Sequence, residues 1–568
     1  MSIAREFSTD PAFQKFGEWI IANGGFIQES LVFTSPESRV GSQILTTAAL
    51  PPSSKLLTCP HTLAIDYQKV KAHYPPEFIE AVSPHAALCT FVVGEWLKGD
   101  ASFWAPYLRI LPREFDTPLY FDDEDMKWLV GCNLNAEEVK TRKKVWMEEW
   151  EAASEALRRQ RSVGSRGARE YTWELFLWAA TAFSSRSFPG KLLNWTTESS
   201  MTEIDDPDCL PALFPLIDSV NHQPLTKITW APGDNALNVV SGDEIPAGGE
   251  VCNNYGPKSN EELLMGYGFT LPGNPFDTVV LRFLPVLSPA QESIRALQPA
   301  SPFPDGIHHL SPRNPNSLYP ASLINLFHLL TATPEELPLL EANPAAETIT
   351  LRNTIATHRQ LLLAIRRKLD GFPAESTLPP LSNSRRRSAK VYRDTQVSIM
   401  TAAVAGSEGV IRNILETKRE VVVTLESILE DPVYSAAVEP CFGSVLPLEL
   451  QMAGHEDLVF TLYLCWRYLQ RDQLPEAWKK WFGRLLEAGE CGNPEDVKGD
   501  DEGEEELEEV EELYKALFPA VAGAAPEVFD GEGWTEGLLR WGMRAFGRES
   551  IGVRLEGKEA EVVIVCIE

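Results

Sequence analysis

Two short stretches decide the fold. The first reads Phe214-Pro215-Leu216-Ile217-Asp218-Ser219-Val220-Asn221-His222. The second reads Gly248-Gly249-Glu250-Val251-Cys252-Asn253-Asn254-Tyr255-Gly256-Pro257-Lys258-Ser259-Asn260-Glu261-Glu262-Leu263-Leu264-Met265-Gly266-Tyr267-Gly268-Phe269. In the first, the apolar run Leu213, Phe214, Leu216 and Ile217 reads as a buried element that ends in Asp218, Ser219, Asn221 and His222. Polar groups at the end of a buried run must be paired or must face a ligand. An asparagine there offers a donor and an acceptor, enough to clamp a zwitterionic amino-acid end. The same residues also suit a turn and a helix cap.

The second stretch carries more detail. Gly242-Asp243 and Gly248-Gly249 are turn signals, and a short strand is predicted at Glu250-Val251-Cys252. Ser259-Asn260-Glu261-Glu262 has the spacing of a capping box, which predicts a short helix from Ser259. Gly266 and Gly268 should end it. Tyr255 then sits between a strand and a helix start, where its hydroxyl can point into a cleft. Alone, Tyr255 would read equally as a half-buried structural tyrosine with one hydrogen bond.

Taken in order, Asn-His, Gly-x-Glu-Val, Tyr-Gly, Lys-Ser-Asn-x-Glu and Tyr-Gly-Phe resemble the two halves of a SET-domain methyltransferase site. The resemblance is closest to the Rubisco large-subunit lysine methyltransferase branch. Two upstream segments extend it. Gly41-Ser42-Gln43-Ile44-Leu45-Thr46 running into Lys55-Leu56-Leu57-Thr58-Cys59-Pro60 is similar to the family's opening strands, where a glycine-rich turn approaches the cofactor. Here Gln43 replaces the usual second glycine, and Ala49-Leu50 an acidic-Ile pair. The predicted helix Tyr171 to Ala180 leads into Arg186-Ser187-Phe188-Pro189, where the family carries an arginine near cofactor and substrate.

The resemblance implies S-adenosylmethionine as cofactor and methyl transfer to a protein side chain. It implies that Gly41, Ser42, Arg186, Asn221, His222 and Tyr255 bind the cofactor. It makes Tyr255 the catalytic tyrosine and sets Phe188, Ile217, Asp218 and Tyr267 around the substrate. No metal is expected. A general-base role for His222 is disfavoured, because the motif places no carboxylate to orient it. The reading favoured is a protein-lysine N-methyltransferase acting on a non-histone protein, with ribosomal proteins and translation factors among the candidates. One alternative is protein-histidine N-methyltransferase. That branch has a polar amide and a tryptophan where this chain has Phe188 and Ile217, and the apolar pair suits an alkyl-ammonium stem better than an imidazole. A second alternative is an inactive SET scaffold that binds proteins.

Charge and cysteine usage bound the remaining classes. At 568 residues the chain should hold more than one domain. A net charge of −30 argues against non-specific nucleic-acid binding. The nine cysteines form no Cys-x-x-Cys pair, so structural zinc is not expected and a reducing compartment is. No stretch reads as a membrane span, and Met1 to Gly25 does not read as a signal peptide. A monomer in cytoplasm or nucleus is expected.

The fold class expected is α+β: a split β-rich SET core with a helical insertion, followed by an all-helical C-terminal domain. The SET domain is placed at 1–280, with its core at about 25–100 and 206–275 and the insertion at about 101–205. A helical, substrate-binding domain of the Rubisco-methyltransferase type is placed at 283–480. Within it, Ser384-Arg385-Arg386-Arg387 reads as a loop before a Tyr-Arg-x-x-Gln helix at Tyr392 to Gln396, rather than as a nuclear signal. Residues 500–512 hold ten carboxylates and no base, so 495–515 is expected as an acidic linker. The tail 516–568 has no assigned role; a helix is expected at Trp534 to Phe546 and a strand at Glu559 to Ile567.

Overall fold

The computed structural model describes residues 6–34, 42–160, 170–193, 210–299, 306–314, 317–488, 491–492, 494, 504–559 and 561–567. They divide into two compact units. The first comprises Met1–Val279 with Gly371–Ser398, and the second Val280–Asp370 with Ile399–Glu568.

The first unit is built on small sheets, as a SET core requires. Strands β1 (Phe26–Ile27), β4 (Lys55–Pro60), β9 (Ala236–Ser241) and β8 (Ile228–Pro232) form an antiparallel sheet in the order β1-β4-β9-β8. Leu56, Leu57 and Cys59 of β4 and Leu237 of β9 are fully enclosed. Strands β2 (Leu31–Thr34) and β3 (Gln43–Thr46) form a hairpin. Strands β5 (Ser187–Pro189) and β6 (Pro211–Leu213) pair antiparallel, with Phe188 opposite Ala212. Strands β7 (Asn221–His222) and β10 (Cys252–Asn253) pair in parallel. That last pair joins the two motif halves.

Helices run from the end of the first core segment through the insertion. Pro84–Leu97 starts from Ser83, whose hydroxyl accepts the Ala86 N–H at 3.0 Å, with Pro84 at the first position. Ala105–Ile110, Ala136–Gln160 and Trp173–Arg186 follow. The long charged helix Ala136–Gln160 carries i,i+3 and i,i+4 ion pairs such as Lys140–Glu137 at 2.7 Å, and buries Val139, Trp146, Ala153 and Leu157. Apolar side chains of sheet and insertion share one core, which includes Phe16, Phe33, Tyr107, Phe176, Phe183 and Phe214.

Two expected boundaries are corrected. Residues 371–398 lie in the first unit rather than in a domain running from 283 to 480. Arg385–Arg387 are not a loop: the helix Ser384–Thr417 begins ahead of them. The cause is charge pairing on the first unit's acids. Arg385 Nε lies 3.2 Å from Asp116 Oδ1 and its Nη1 donates to the Tyr120 carbonyl at 2.8 Å. Arg386 Nε lies 2.7 Å from Asp125 Oδ1, a carboxylate only 1% exposed. Tyr392 Oη donates to Glu261 at 2.7 Å.

The second unit is predominantly helical and adds a three-stranded antiparallel sheet: β11 (Val422–Thr424), β13 (Val562–Cys566) and β12 (Ser550–Val553). β13 is the central strand, so the chain's tail belongs to this unit's core rather than standing apart. The helix Glu536–Glu549 packs on Glu456–Leu469, and Arg484 pairs at 2.8 Å with the fully buried Glu549 carboxylate. The acidic linker is also shorter than expected, since the helix Glu504–Ala524 begins within it. Val510, Phe518 and Val521 anchor that helix in the core.

Candidate active site

The β7–β10 pair sets Asn221 opposite Cys252 and His222 opposite Asn253. Tyr255 follows two residues later. Its backbone N–H donates to His222 Nδ1 at 3.1 Å, and its ring stacks on the imidazole, 4.8 Å between centroids and 17° between planes. Accepting at Nδ1 puts the proton on Nε2, and burial lowers the imidazole's basicity, so His222 is neutral at pH 7. It is a strut for Tyr255.

Tyr255 Oη donates to the Val220 carbonyl at 2.8 Å. Burial pushes its phenol well above the ordinary range, partly offset by the Arg186 charge, so it stays protonated. On its other side Tyr267 stacks at 5.0 Å and 25°. Tyr267 ends the helix Asn260–Tyr267, which starts in the expected capping box: Ser259 Oγ accepts from Glu262 N–H, and the Glu262 side chain accepts from Ser259 N–H. Gly268 stops it with φ +83°, and a Cβ there would lie 2.9 Å from the backbone of Asp116 and Thr117. Only glycine meets both demands.

Asn221 Nδ2 donates to the Ser42 carbonyl at 2.9 Å and to Glu250 Oε1 at 2.8 Å. The opening hairpin is tied to this corner by backbone bonds from Thr46 N–H to Gly249 O and from Val251 N–H to Ile44 O. Arg186, the last residue of Trp173–Arg186, donates through Nη1 to the Asp218 carbonyl at 3.0 Å and lies 3.5 Å from its carboxylate Oδ2. Leu216, just before, is fully buried yet holds φ +82°. A non-glycine residue in that region costs about 1–3 kcal/mol and marks a site whose geometry the surroundings impose.

The structure thus brings together Ser42, Arg186, Asn221, His222, Tyr255 and Tyr267. Gly41 lies outside the described residues. Phe188 is enclosed between Phe214 and Trp230, at 5.8 and 4.9 Å. Ile217 is wholly buried. Asp218 departs from the expected substrate contact: its side chain has no exposed surface, and Tyr107 Oη donates to Oδ2 at 2.7 Å. It faces Arg186 instead, whose Nη1 lies 3.5 Å from Oδ2. Sequence reading missed Tyr107, which sits in an insertion helix with nothing around it to set it apart from a core aromatic. Glu250 carries no local sign of a role; its pairing to Asn221 depends on strand register that only the fold reveals.

Asp218 Oδ1, Ser219 Oγ and His222 Nε2 are buried without a hydrogen-bond partner among the described residues. Acceptors on Glu250 and Ser42 and the Arg186 guanidinium, one fifth exposed, match the ammonium and carboxylate of an amino-acid end. Among the described residues no cluster of His, Cys, Asp or Glu is disposed to hold a metal ion.

A relative from Schizosaccharomyces pombe, "Ribosomal lysine N-methyltransferase set10", is 30% identical over 529 residues, spanning 88% of this chain and 90% of that protein. The chain belongs to the SET-domain lysine methyltransferase family. "Ribosomal lysine N-methyltransferase 1" of Saccharomyces cerevisiae is 25% identical over 448 residues, 67% of this chain and 72% of that one. The solved structure of Rubisco LSMT bound to AdoMet aligns with a TM-score of 0.53 at 20% identity, over 72% of this chain and 93% of that one. It supports the SET fold assigned above. No family model matches the chain. The cofactor of this SET enzyme is S-adenosylmethionine, and the residues gathered at the β7–β10 corner fit it.

Proposed function

We propose that this SET methyltransferase modifies a lysine of a ribosomal protein, with Tyr255 as the catalytic residue. The observation that carries the reading is the stack of His222, Tyr255 and Tyr267 on the parallel pair that presents Asn221. Ribosomal substrates are supported by the two fungal relatives, each named for that activity. A negative net charge of −30 suits a lysine-rich protein partner.

When bound, S-adenosylmethionine supplies an already activated methyl group. The chain's own task is alignment and desolvation. Asn221, Glu250, the Ser42 carbonyl and Arg186 would hold the cofactor's amino-acid end. Tyr255, fixed through Val220 and His222, would present its hydroxyl beside the reacting atoms. Tyr267 would form the facing aromatic wall. A lysine has an ordinary pKa of about 10.4, so few molecules carry a free amine at pH 7. The apolar surroundings of Phe188, Phe214 and Trp230 would favour the neutral amine by desolvating its ammonium. The same apolar lining disfavours an imidazole, which needs a polar partner, so histidine is the weaker substrate.

Several further readings belong to this proposal. Gly41 would contribute to cofactor binding, and Phe188 would line the substrate wall, whereas Ile217, with no exposed surface, would not. The second unit would bind the protein substrate. The enzyme would act as a monomer, without binding nucleic acid or membrane, in cytoplasm or nucleus. No helix among the described residues is long and apolar enough to cross a membrane. Cys59, Cys89, Cys441 and Cys465 form no disulfide, which supports a reducing compartment.

The test is incubation of the full chain with unmethylated ribosomal subunits and labelled S-adenosylmethionine, followed by mapping of the label. Label on one lysine of one ribosomal protein is expected. Label on histidine, or only on non-ribosomal proteins of an extract, overturns the substrate assignment.

A further inference from the structure

We infer that Tyr107 is a positioning residue for the methyl transfer, acting through Asp218 to keep Arg186 fixed at the active site. The inference rests on the methyltransferase reading above, and adds to it a residue outside both motifs.

Tyr107 lies in the helix Ala105–Ile110, inside the helical insertion. Its ring belongs to the core and sits 6.2 Å from that of Phe16. A phenylalanine would fill that place as well. The hydroxyl therefore needs its own explanation, since a buried polar atom without a partner is costly. Its partner is Asp218 Oδ2, at 2.7 Å. The Asp218 side chain has no accessible surface, and its Oδ1 has no partner among the described residues. Two side chains favour its charged form: the Tyr107 hydroxyl and the Arg186 guanidinium, 3.5 Å away.

The other groups facing this carboxylate oppose its charge or leave it unaided. Cys59, from β4, is buried, and burial together with Asp218 holds its thiol neutral. Tyr255, protonated, gains further resistance to ionising from the Asp218 charge. Burial already raises Asp218 above the ordinary carboxylate range, with Arg186 and Tyr107 pulling it back. Removing the Tyr107 hydroxyl takes away one of those two. Asp218 then takes up a proton at a higher pH, and Arg186 loses the counter-charge that orients it. Arg186 keeps its bond to the Asp218 carbonyl, so the fold persists while the guanidinium gains freedom.

The test compares wild type, Tyr107→Phe, Asp218→Asn and the double variant. Methyl-transfer rates would be followed from about pH 6 to pH 9.5, with calorimetry of S-adenosylmethionine binding in parallel. The ratio of wild-type to Tyr107→Phe rate cancels the titration of the substrate lysine. It is expected near unity at high pH and to rise to about tenfold as pH falls, the size expected for a hydrogen bond to a charge. In the Asp218→Asn background the ratio should be flat and near unity. A ratio that stays constant with pH, or a Tyr107→Phe effect that persists in the Asp218→Asn background, overturns the inference. Wild type that neither binds the cofactor nor transfers methyl overturns the methyltransferase reading instead. Should Asp218→Asn fail to fold, the pH dependence of the Tyr107→Phe ratio decides alone.

Discussion

Tyr255 and His222 hold each other in two ways at once: their rings stack at 4.8 Å, and the Tyr255 backbone N–H donates to His222 Nδ1. Tyr255 is thereby located by a histidine 33 residues earlier in the chain. Its hydroxyl is fixed separately, on the Val220 carbonyl. Backbone and hydroxyl are anchored by the first motif half, and the ring stacks on both His222 and Tyr267. Tyr255→Phe removes only the hydroxyl. Folding and cofactor binding should survive, while single-turnover methyl transfer should fall by on the order of tenfold or more. Tyr267→Phe should slow the reaction less and alter how many methyl groups are added, as read by mass spectrometry of the product.

Asn221→Ala deletes the donor that bridges the Ser42 carbonyl and Glu250. Glu250 then loses that hydrogen bond. S-adenosylmethionine affinity should weaken by about 1–3 kcal/mol in calorimetry. Unchanged affinity would reduce the Asn-His pair to a structural turn.

Gly268→Ala tests the helix that carries Tyr267. The substitution meets a φ of +83° and backbone atoms 2.9 Å from the new Cβ. Destabilisation of about 1–3 kcal/mol in denaturant melts is expected, with a displaced Tyr267 and reduced turnover. Gly256→Ala, also at positive φ but with open space around the new atom, should cost less.

Acid should weaken the second unit. Burial lowers His308 and His358 to about 4, from an ordinary 6.5. Between those values the unfolded chain carries protons that the folded one refuses, so stability rises with pH across the window and falls as pH drops from about 7 towards 4. Denaturant midpoints should fall accordingly, and the double variant His308→Asn, His358→Asn should show a shallower slope. An unchanged slope would mean that other groups dominate.

Much of this site was readable from spacing. The capping box at Ser259–Glu262 and the stop at Gly268 depend on neighbours within a few residues, and both stand where the spacing places them. So does the meeting of Asn221 with the Tyr255 segment, which the order of the motif halves implied. What was not readable depends on distant partners. Asp218 carries no local sign that its carboxylate points inward to Tyr107, 111 residues away. Arg385 and Arg386 look like exposed charge, because their acids, Asp116 and Asp125, belong to the insertion. The strand that centres the second unit's sheet lies at the end of the chain, beyond a highly acidic stretch that reads as a boundary.

The return of residues 371–398 to the first unit has a consequence during synthesis. Asp116, Asp125 and Glu261 leave the ribosome well before Arg385, Arg386 and Tyr392, which complete them. At about 5–20 residues per second, the roughly 120 residues between Val279 and Ser398 take roughly 6–24 s to appear. The first unit therefore waits, unfinished, while the Val280–Asp370 part of the second emerges. A nascent chain stalled near residue 300 should be cut by protease within the insertion, and one stalled well past 430 should resist.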